Sequence, residues 1–472
     1  MTLKSRASVC TRASREYVTP QDLFEEVRAE PYPCLLESQA GPGGGGSGRY
    51  SLMCADPFAV LSAKGRSVQL AGAVSGGHAG GDVFAVLRTL LEGLRVAGGD
   101  ALPFAGAAVG YFGYDVGRLI ERIPSLAVDD LGLPDVHLCF YDSGFVFDHN
   151  EEAVYAVAVD RGSSGNGKPA ESRLNDMEAL LEAAATRGTQ DFCGRRPIAK
   201  ARSSLSQADY LDAVCRAKEY VAAGDVYQVN LSHRIEAPFA GDPYDLFRRL
   251  SLENPAQYAA FLDTEHGAIV SSSPELFLSV AGRCVETHPV KGTRPRGYSD
   301  TEDRSNMVAL RSSEKDRAEH LMIVDLERND LGRVCDYGSV DVADFMAVES
   351  LPTVFHLVSR VVGELAHGRD RVDLLKATFP GGSITGAPKV RAMEIIEELE
   401  PTRRGVYTGA IGFMSFNGRM NLNIAIRTAI VRDSRVYFQV GGGIVHDSDP
   451  SCEYQETLDK ARAMLRAADA CL

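Results

Sequence analysis

The alternation of apolar and polar positions changes period several times along the chain. Before residue 160, "PCLLES", "FAGAAVGYFGYD" and "LCFYDSGFVFDHNEEAVYAVAV" are short apolar or alternating runs and read as strands with turns between them. "VFAVLRTLLEGL" instead spaces its apolar residues as one face of a helix, and "GPGGGGSG" (Gly41 to Gly48) reads as a flexible loop. From Arg161 to Arg202 the texture shifts to loop-like "RGSSGNGKPAES", helical "RLNDMEALLEAAATRG" and a basic connector, "DFCGRRPIAKARSSLS". The pattern predicts an N-terminal region over 15–160, a linker or insertion over 161–205 and a larger region over 206–466. The last of these opens on a Ser206-capped amphipathic helix ending near Gly224 and closes on a strand, a glycine turn, a loop and a helix. Helices and strands alternate without βαβ spacing, which predicts an α+β fold with large antiparallel sheets.

Composition narrows the class. With 472 residues, 44% hydrophobic and 24% charged, the chain can bury a large core and does not read as disordered. It holds no apolar run of about eighteen residues, so no membrane span is expected. The N-terminus, "MTLKSRASVCTRASREYVTP", carries Arg and Ser but no secretory apolar stretch, and reads as an ordinary ragged terminus rather than a transit peptide. Ten cysteines without a CxxC pair predict reduced thiols and a cytoplasmic location. A net charge of -14 argues against nucleic-acid binding. If the substrate is an anion, its site must build positive potential locally.

Several segments can carry chemistry. "GSSGNGK", Gly162 to Lys168, imitates a phosphate-binding loop, but Pro169 stands where a Ser or Thr should hold magnesium, so it reads as linker. On "SDPSCEYQETLDKARAML", helical spacing puts Glu453, Glu456 and Lys460 on one face; "SSEKDRAEHLMIVDLERND" offers Asp316 and Glu319 in the same way. Two such carboxylate pairs can hold one hard cation such as Mg²⁺, or they can be solvated faces with ion pairs of their own. In "FPGGSITGAPKVRAMEIIEELEP", Thr385 is a cap candidate and Pro388 sits near a first helical position, a helix start suited to an anion. "QVGGGIVHD" sets three glycines after a strand, and Arg427 interrupts an apolar strand pattern, where it needs a carboxylate partner from protein or substrate. Lys291 stands alone in "ETHPVKGTRPRG".

These segments together resemble the chorismate-utilising enzymes. The matching runs, from "GDVYQVNLS" through "SSSPELF", "HPVKGTRPRG", "DRAEHLMIVDLERNDLGRV", "GVYTGAIGF" and "NIAIRT" to "GGGIVHDSDPSCEYQETLDKA", span about residues 206–466 in the family's order, and "PCLLES" and "GAAVGYFGYD" extend the likeness N-terminally. The resemblance implies two large antiparallel sheets packed as a sandwich with helices outside and the site in a cleft. It implies a Mg²⁺ site of Glu319, Glu453 and Glu456, in which Glu319 and Glu456 bind the ion and Glu453 and Asp316 act through its waters. The ring carboxylate of chorismate would then lie against Gly441, Gly442, Gly443 and Lys460. Arg427 and Tyr407 would clamp the enolpyruvyl carboxylate, with Ser383 and Thr385 near the substrate. His356 would approach the C4 hydroxyl, core packing being the open alternative.

Two positions bear on the branch. Gln228 stands where water-adding members carry a lysine base, and an amide cannot take that proton. "PVKGT" resembles the aminodeoxychorismate synthase branch, whereas the anthranilate branch has alanine in place of Lys291. The likeness implies that Lys291 attacks C2, Glu275 acts as general acid/base, and ammonia adds at C4 for p-aminobenzoate and folate synthesis. It also implies a separate glutamine amidotransferase subunit, and tryptophan as a ligand near Ser38. C2 amination with pyruvate release, and a subunit without catalysis, are the competing expectations.

Overall fold

The computed structural model describes residues 8–14, 17–39, 48–72, 81–96, 101–161, 168–187, 197–297, 299–350 and 354–472. The first seven residues, nearly all of the Gly41–Gly48 loop, residues 162–167 of the phosphate-loop imitation and residues 188–196, with the start of the basic connector, lie outside them.

Strands buried on both faces need a cover on each, and this sets the layers. Strand Ala107–Phe112 is buried throughout. Its Ala108 and Phe112 join a cluster with Phe84 and Leu87 of helix Val83–Gly93. The alternate residues, Ala107, Val109 and Tyr111, meet Cys34, Leu52 and Leu262 of the opposite sheet. Strand Tyr258–Thr264 does the same from the other side: Ala260 and Leu262 face inward, while Phe261 packs on Phe24, Tyr244 and Phe247 of outer helices. Among the described residues there are a 12-stranded and an 11-stranded sheet, antiparallel within each. The expected α+β sandwich with helices outside is the architecture observed. Strands from before residue 160 and after residue 202 share both sheets.

Several local expectations hold. Ser206 makes a capping box with Asp209, and Gly224 ends helix Gln207–Ala223 in the left-handed region. Helices also form at Ala170–Arg187, Glu314–Gly332 and Pro450–Ala467.

Others are corrected. Gly441, Gly442 and Gly443 do not follow a strand; they lie inside strand Arg435–Ile444, paired with Ser232, Leu231 and Asn230. They read as a turn because glycine usually punctuates, whereas here Gly441 packs so close to the paired backbone that a Cβ is excluded. Thr385 is not a cap: its hydroxyl donates to Gly381 O at 2.9 Å, and Pro388 takes the N-cap position of helix Lys389–Leu399.

Two of the places where the chain crosses between the sheets lie side by side. Strand Gly267–Ser273 belongs to one sheet and Leu276–Ala281 to the other; Met420–Asn423 and Thr428–Arg432 are divided in the same way, in reverse order. The crossings are hydrogen-bonded side by side, Ile424 N to Glu275 O at 3.0 Å, Ser273 Oγ to Ile424 O at 2.6 Å and Ser272 N to Arg427 O at 3.0 Å. Glu275 and Arg427 therefore both stand where strand pairing is interrupted. Arg427 is in this break, with φ of 49°, and not in a strand as its apolar neighbours suggested.

Candidate active site

Lys291 and Glu275 meet on one residue. Strand Val290–Pro295 carries Lys291, whose Nζ donates to Ser383 O at 3.2 Å. Ser383 Oγ in turn donates to Glu275 Oε1 at 2.6 Å. Ser383 sits in the short turn Gly382–Ile384, held by Gly382 N donating to Glu327 Oε1 at 3.1 Å. Burial lowers the Lys291 pKa; Glu275 opposes the shift, Lys460 adds to it, and Glu319 and Glu456 oppose it. Burial likewise raises the Glu275 pKa against Ser383, Lys291 and the Val290 backbone. Both shifts favour the uncharged forms, an amine that can attack and an acid that can give a proton.

Two carboxylates from two helices, Glu319 and Glu456, act electrostatically on this amine, and Glu453 acts on both of them. Gly442 is the backbone next to two of them: a Cβ there would lie 3.3 Å from Glu453 Oε2, 3.7 Å from Glu456 Oε1 and 3.9 Å from Lys460 Nζ. Glu453 accepts from Ser448 Oγ at 2.7 Å, and Lys460 reaches both Glu456 and Gly441 O at 2.8 Å. Glu319 Oε1 is buried without a hydrogen bond; its nearest cation is Lys315 Nζ at 3.8 Å. Burial raises the pKa of Glu319, offset in part by Lys291 and Lys315, and burial also raises that of Glu453. Burial pushes Glu456 the same way, but Lys460, Lys291 and Lys315 together outweigh it and the net shift is downward. Hard oxygen donors of this kind fit Mg²⁺. They do not form a closed cage, however. Among the described residues, three ligand atoms within 4.8 Å of one another occur at His137, Glu265 and His266 instead. Asp316 is taken up by Arg294 at 2.7 Å.

The Arg427 guanidinium is partly buried, and burial lowers its pKa. It donates to Asn254 Oδ1 at 2.7 Å, and among the described residues no carboxylate pairs with it. A buried cation without a counterion invites an anionic ligand. His356 pairs across the ladder with Thr293, whose Oγ1 lies 2.9 Å from Nδ1; Nε2 has no partner. Burial, with Arg427 adding, brings the His356 pKa down to about 4, so the ring is neutral near pH 7. Tyr407 is buried in a turn joined to the Arg427 crossing by Thr408 N donating to Ala425 O at 2.8 Å. Gln228 is fully buried with neither amide atom bonded, and a Cβ on Gly443 would lie 2.9 Å from its Cδ. Orphaned polar atoms on Gln228, His356 and Glu319 are what a site awaiting a polar ligand leaves.

Sequence reasoning missed two supports. Asn254 positions Arg427, and its Nδ2 donates to Ser272 Oγ at 2.8 Å. Arg404, 3% exposed, pairs with Glu400 at 2.7 Å and donates to Ile384 O at 3.0 Å and Asn230 O at 2.7 Å, tying together the Ser383 turn, the Gln228 strand and the Tyr407 turn. The i,i+4 spacing of Glu400 and Arg404 was a visible signal; that both would be buried was not. Ser38 lies apart from this site, lining a cavity of about 640 Å³ between the sheets with Leu52, Ile411, Phe413 and Met420.

The profile of the family described as chorismate binding enzyme matches residues 35–466. Aminodeoxychorismate synthase component 1 of Bacillus subtilis (strain 168) is 40% identical over 448 residues, covering 94% of each chain. Anthranilate synthase component 1 of Pseudomonas putida is 39% identical over 98% of this chain and 95% of its own. The crystal structure of anthranilate synthase component I from Streptococcus pneumoniae TIGR4 superimposes with a TM-score of 0.79 at 35% identity, covering 89% of this chain and 92% of that one.

Proposed function

The chain belongs to the chorismate binding enzyme family, and we propose that it aminates chorismate at C4, giving 4-amino-4-deoxychorismate for p-aminobenzoate and folate synthesis. The observation that carries this reading is the shared anchorage of Lys291 and Glu275 on Ser383. The neutral Lys291 amine forms a bond to C2 as both ring double bonds shift, C1=C2 to C1=C6 and C5=C6 to C4=C5, and the C4–oxygen bond breaks. Glu275 delivers the proton that makes the leaving group water. Ammonia then adds at C4 and gives a proton back to Glu275, both double bonds shift back, and the C2–lysine bond breaks to release the amine. The enolpyruvyl group is retained.

The other residues bind and orient. Arg427, oriented by Asn254, holds the enolpyruvyl carboxylate with Tyr407 beside it. The backbone at Gly441–Gly443 and Lys460 receive the ring carboxylate, and Mg²⁺ on Glu319, Glu453 and Glu456 supplies its counter-charge when bound. Ser383 and Thr385 shape the floor under the ring, and His356 offers its unpartnered Nε2 toward the C4 hydroxyl. Gln228 offers its free amide to the substrate and supplies no base to activate water. A separate glutaminase subunit would provide the ammonia.

Incubation with chorismate, Mg²⁺ and an ammonium salt tests the reaction. A nonfluorescent product that keeps the enolpyruvyl mass and yields p-aminobenzoate with an added lyase is expected. Fluorescent anthranilate with released pyruvate would mean amination at C2. The inter-sheet cavity beside Ser38 has room for tryptophan. Because the chain contains no Trp, any indole emission released on denaturing the purified protein would come from a ligand, and its absence after saturation with tryptophan and desalting would refute retention.

A further inference from the structure

His137 lies in strand Val136–Tyr141 of one sheet, and Glu265–His266 form the turn between strands Tyr258–Thr264 and Gly267–Ser273 of the other. Each contributes one ligand atom to a group lying within 4.8 Å. We propose that His137, Glu265 and His266 bind one zinc-class divalent cation that ties the two sheets together outside the proposed chorismate site.

The donor set is the first argument. Two imidazoles and a carboxylate suit Zn²⁺ and its first-row neighbours, whereas Mg²⁺ prefers oxygen alone. The spacing is the second. His266 Nε2 lies 3.3 Å from Glu265 Oε1, and tetrahedral ligation at about 2.0–2.1 Å separates neighbouring ligands by about 3.3 Å.

The state of His137 is the third argument. Its ring is 1% exposed, Nδ1 has no hydrogen-bond partner, and Nε2 meets only the Cys139 thiol at 3.6 Å. An ordinary ion pair within the turn would account for Glu265 and His266 but would leave this buried ring unpaired.

The surroundings also orient the ligands. The Tyr32 hydroxyl donates to Glu265 Oε2, the oxygen that His266 does not face, so Oε1 remains for a cation. The rings of Tyr32 and Tyr111 stack against His137 at 6.1 Å and 6.0 Å between centroids.

The test is a titration of the full-length protein with Co²⁺ as the spectroscopic probe, in a large excess of Mg²⁺ that occupies the oxygen-rich glutamate site. One equivalent should produce the visible absorption of a four-coordinate nitrogen–oxygen site, and Zn²⁺ should displace it. His266→Ala, a change in a half-buried turn, should abolish the band. Tyr32→Phe should weaken binding by about tenfold, and zinc should raise the melting temperature of the wild type but not of His266→Ala. His137→Asn should also lose the band; if that core variant fails to fold, the wild type and His266→Ala decide. No stoichiometric band in the wild type, or the same band in His266→Ala, would overturn the proposal.

Discussion

Lys291 is the residue on which the proposed chemistry turns, and its environment makes the case quantitative. Lys291→Ala should lose about three orders of magnitude or more in ammonia-dependent turnover; near-normal rates would remove the nucleophile from the mechanism. Glu275 opposes the downward shift of the Lys291 pKa. Replacing it with Gln should therefore let the amine lose its proton at lower pH, while turnover falls about 10²–10⁴-fold for want of the acid. The pH profile of the residual activity reads both effects, and a rise of rate with pH that stays at the wild-type position would show that the two groups do not couple. Arg427→Lys should mainly raise KM for chorismate, by about 10–100-fold, because one buried charged bidentate contact is lost. A change confined to kcat would place Arg427 elsewhere in the reaction.

At the scale of the element, strand Arg435–Ile444 separates structural from functional glycines by what each would strike. A Cβ on Gly441 would meet Leu231 O at 2.5 Å, a backbone atom of the paired strand that cannot give way. On Gly442 the nearest atoms are the ends of Glu453, Glu456 and Lys460 side chains. Gly441→Ala should thus lower stability by about 2 kcal/mol in chemical denaturation. Gly442→Ala should unfold like the wild type but bind Mg²⁺ about tenfold or more weakly in calorimetry. Equal stability losses would mean that the two glycines do the same work. The two crossings between sheets obey a related logic. Where the ladder stops, backbone groups bond across from one crossing to the other, and polar side chains such as Glu275 and Arg427 stay at the centre of a sandwich that otherwise buries apolar residues.

Across the whole molecule, burial of histidine ties stability to pH. His233, held by Ser203 and Thr457, is taken by burial to about pKa 4, like His356. Their folded values lie below the ordinary value of 6.5. Between those limits the unfolded chain binds protons that the folded chain refuses, so stability falls as pH drops through this window. Above 6.5 the contribution is fully present. Each ring contributes a slope of up to about 1.4 kcal/mol per pH unit. Urea midpoints measured across that window should fall less steeply for His233→Gln than for the wild type; parallel curves would show that the ring titrates normally in the fold.

The sequence by itself determined the chemistry-bearing residue types, the family and the α+β sandwich. Apolar period and capping are local signals, and the motif runs lie in order along one chain. Ser206, Gly224 and the amphipathic helices were legible for that reason. Three things were decided only by tertiary structure, because each depends on what lies across a sheet or at a break between sheets. Arg427 had the neighbours of a strand residue and became the residue of a crossing. Glycines 441–443 looked like a turn and became part of a strand, packed too tightly for a side chain at Gly441. His137 gave no local hint of Glu265 and His266, which follow it by more than a hundred residues and belong to the other sheet. Local sequence specifies which elements form, whereas burial, ion pairing and ligand geometry depend on the partners that folding brings from elsewhere in the chain.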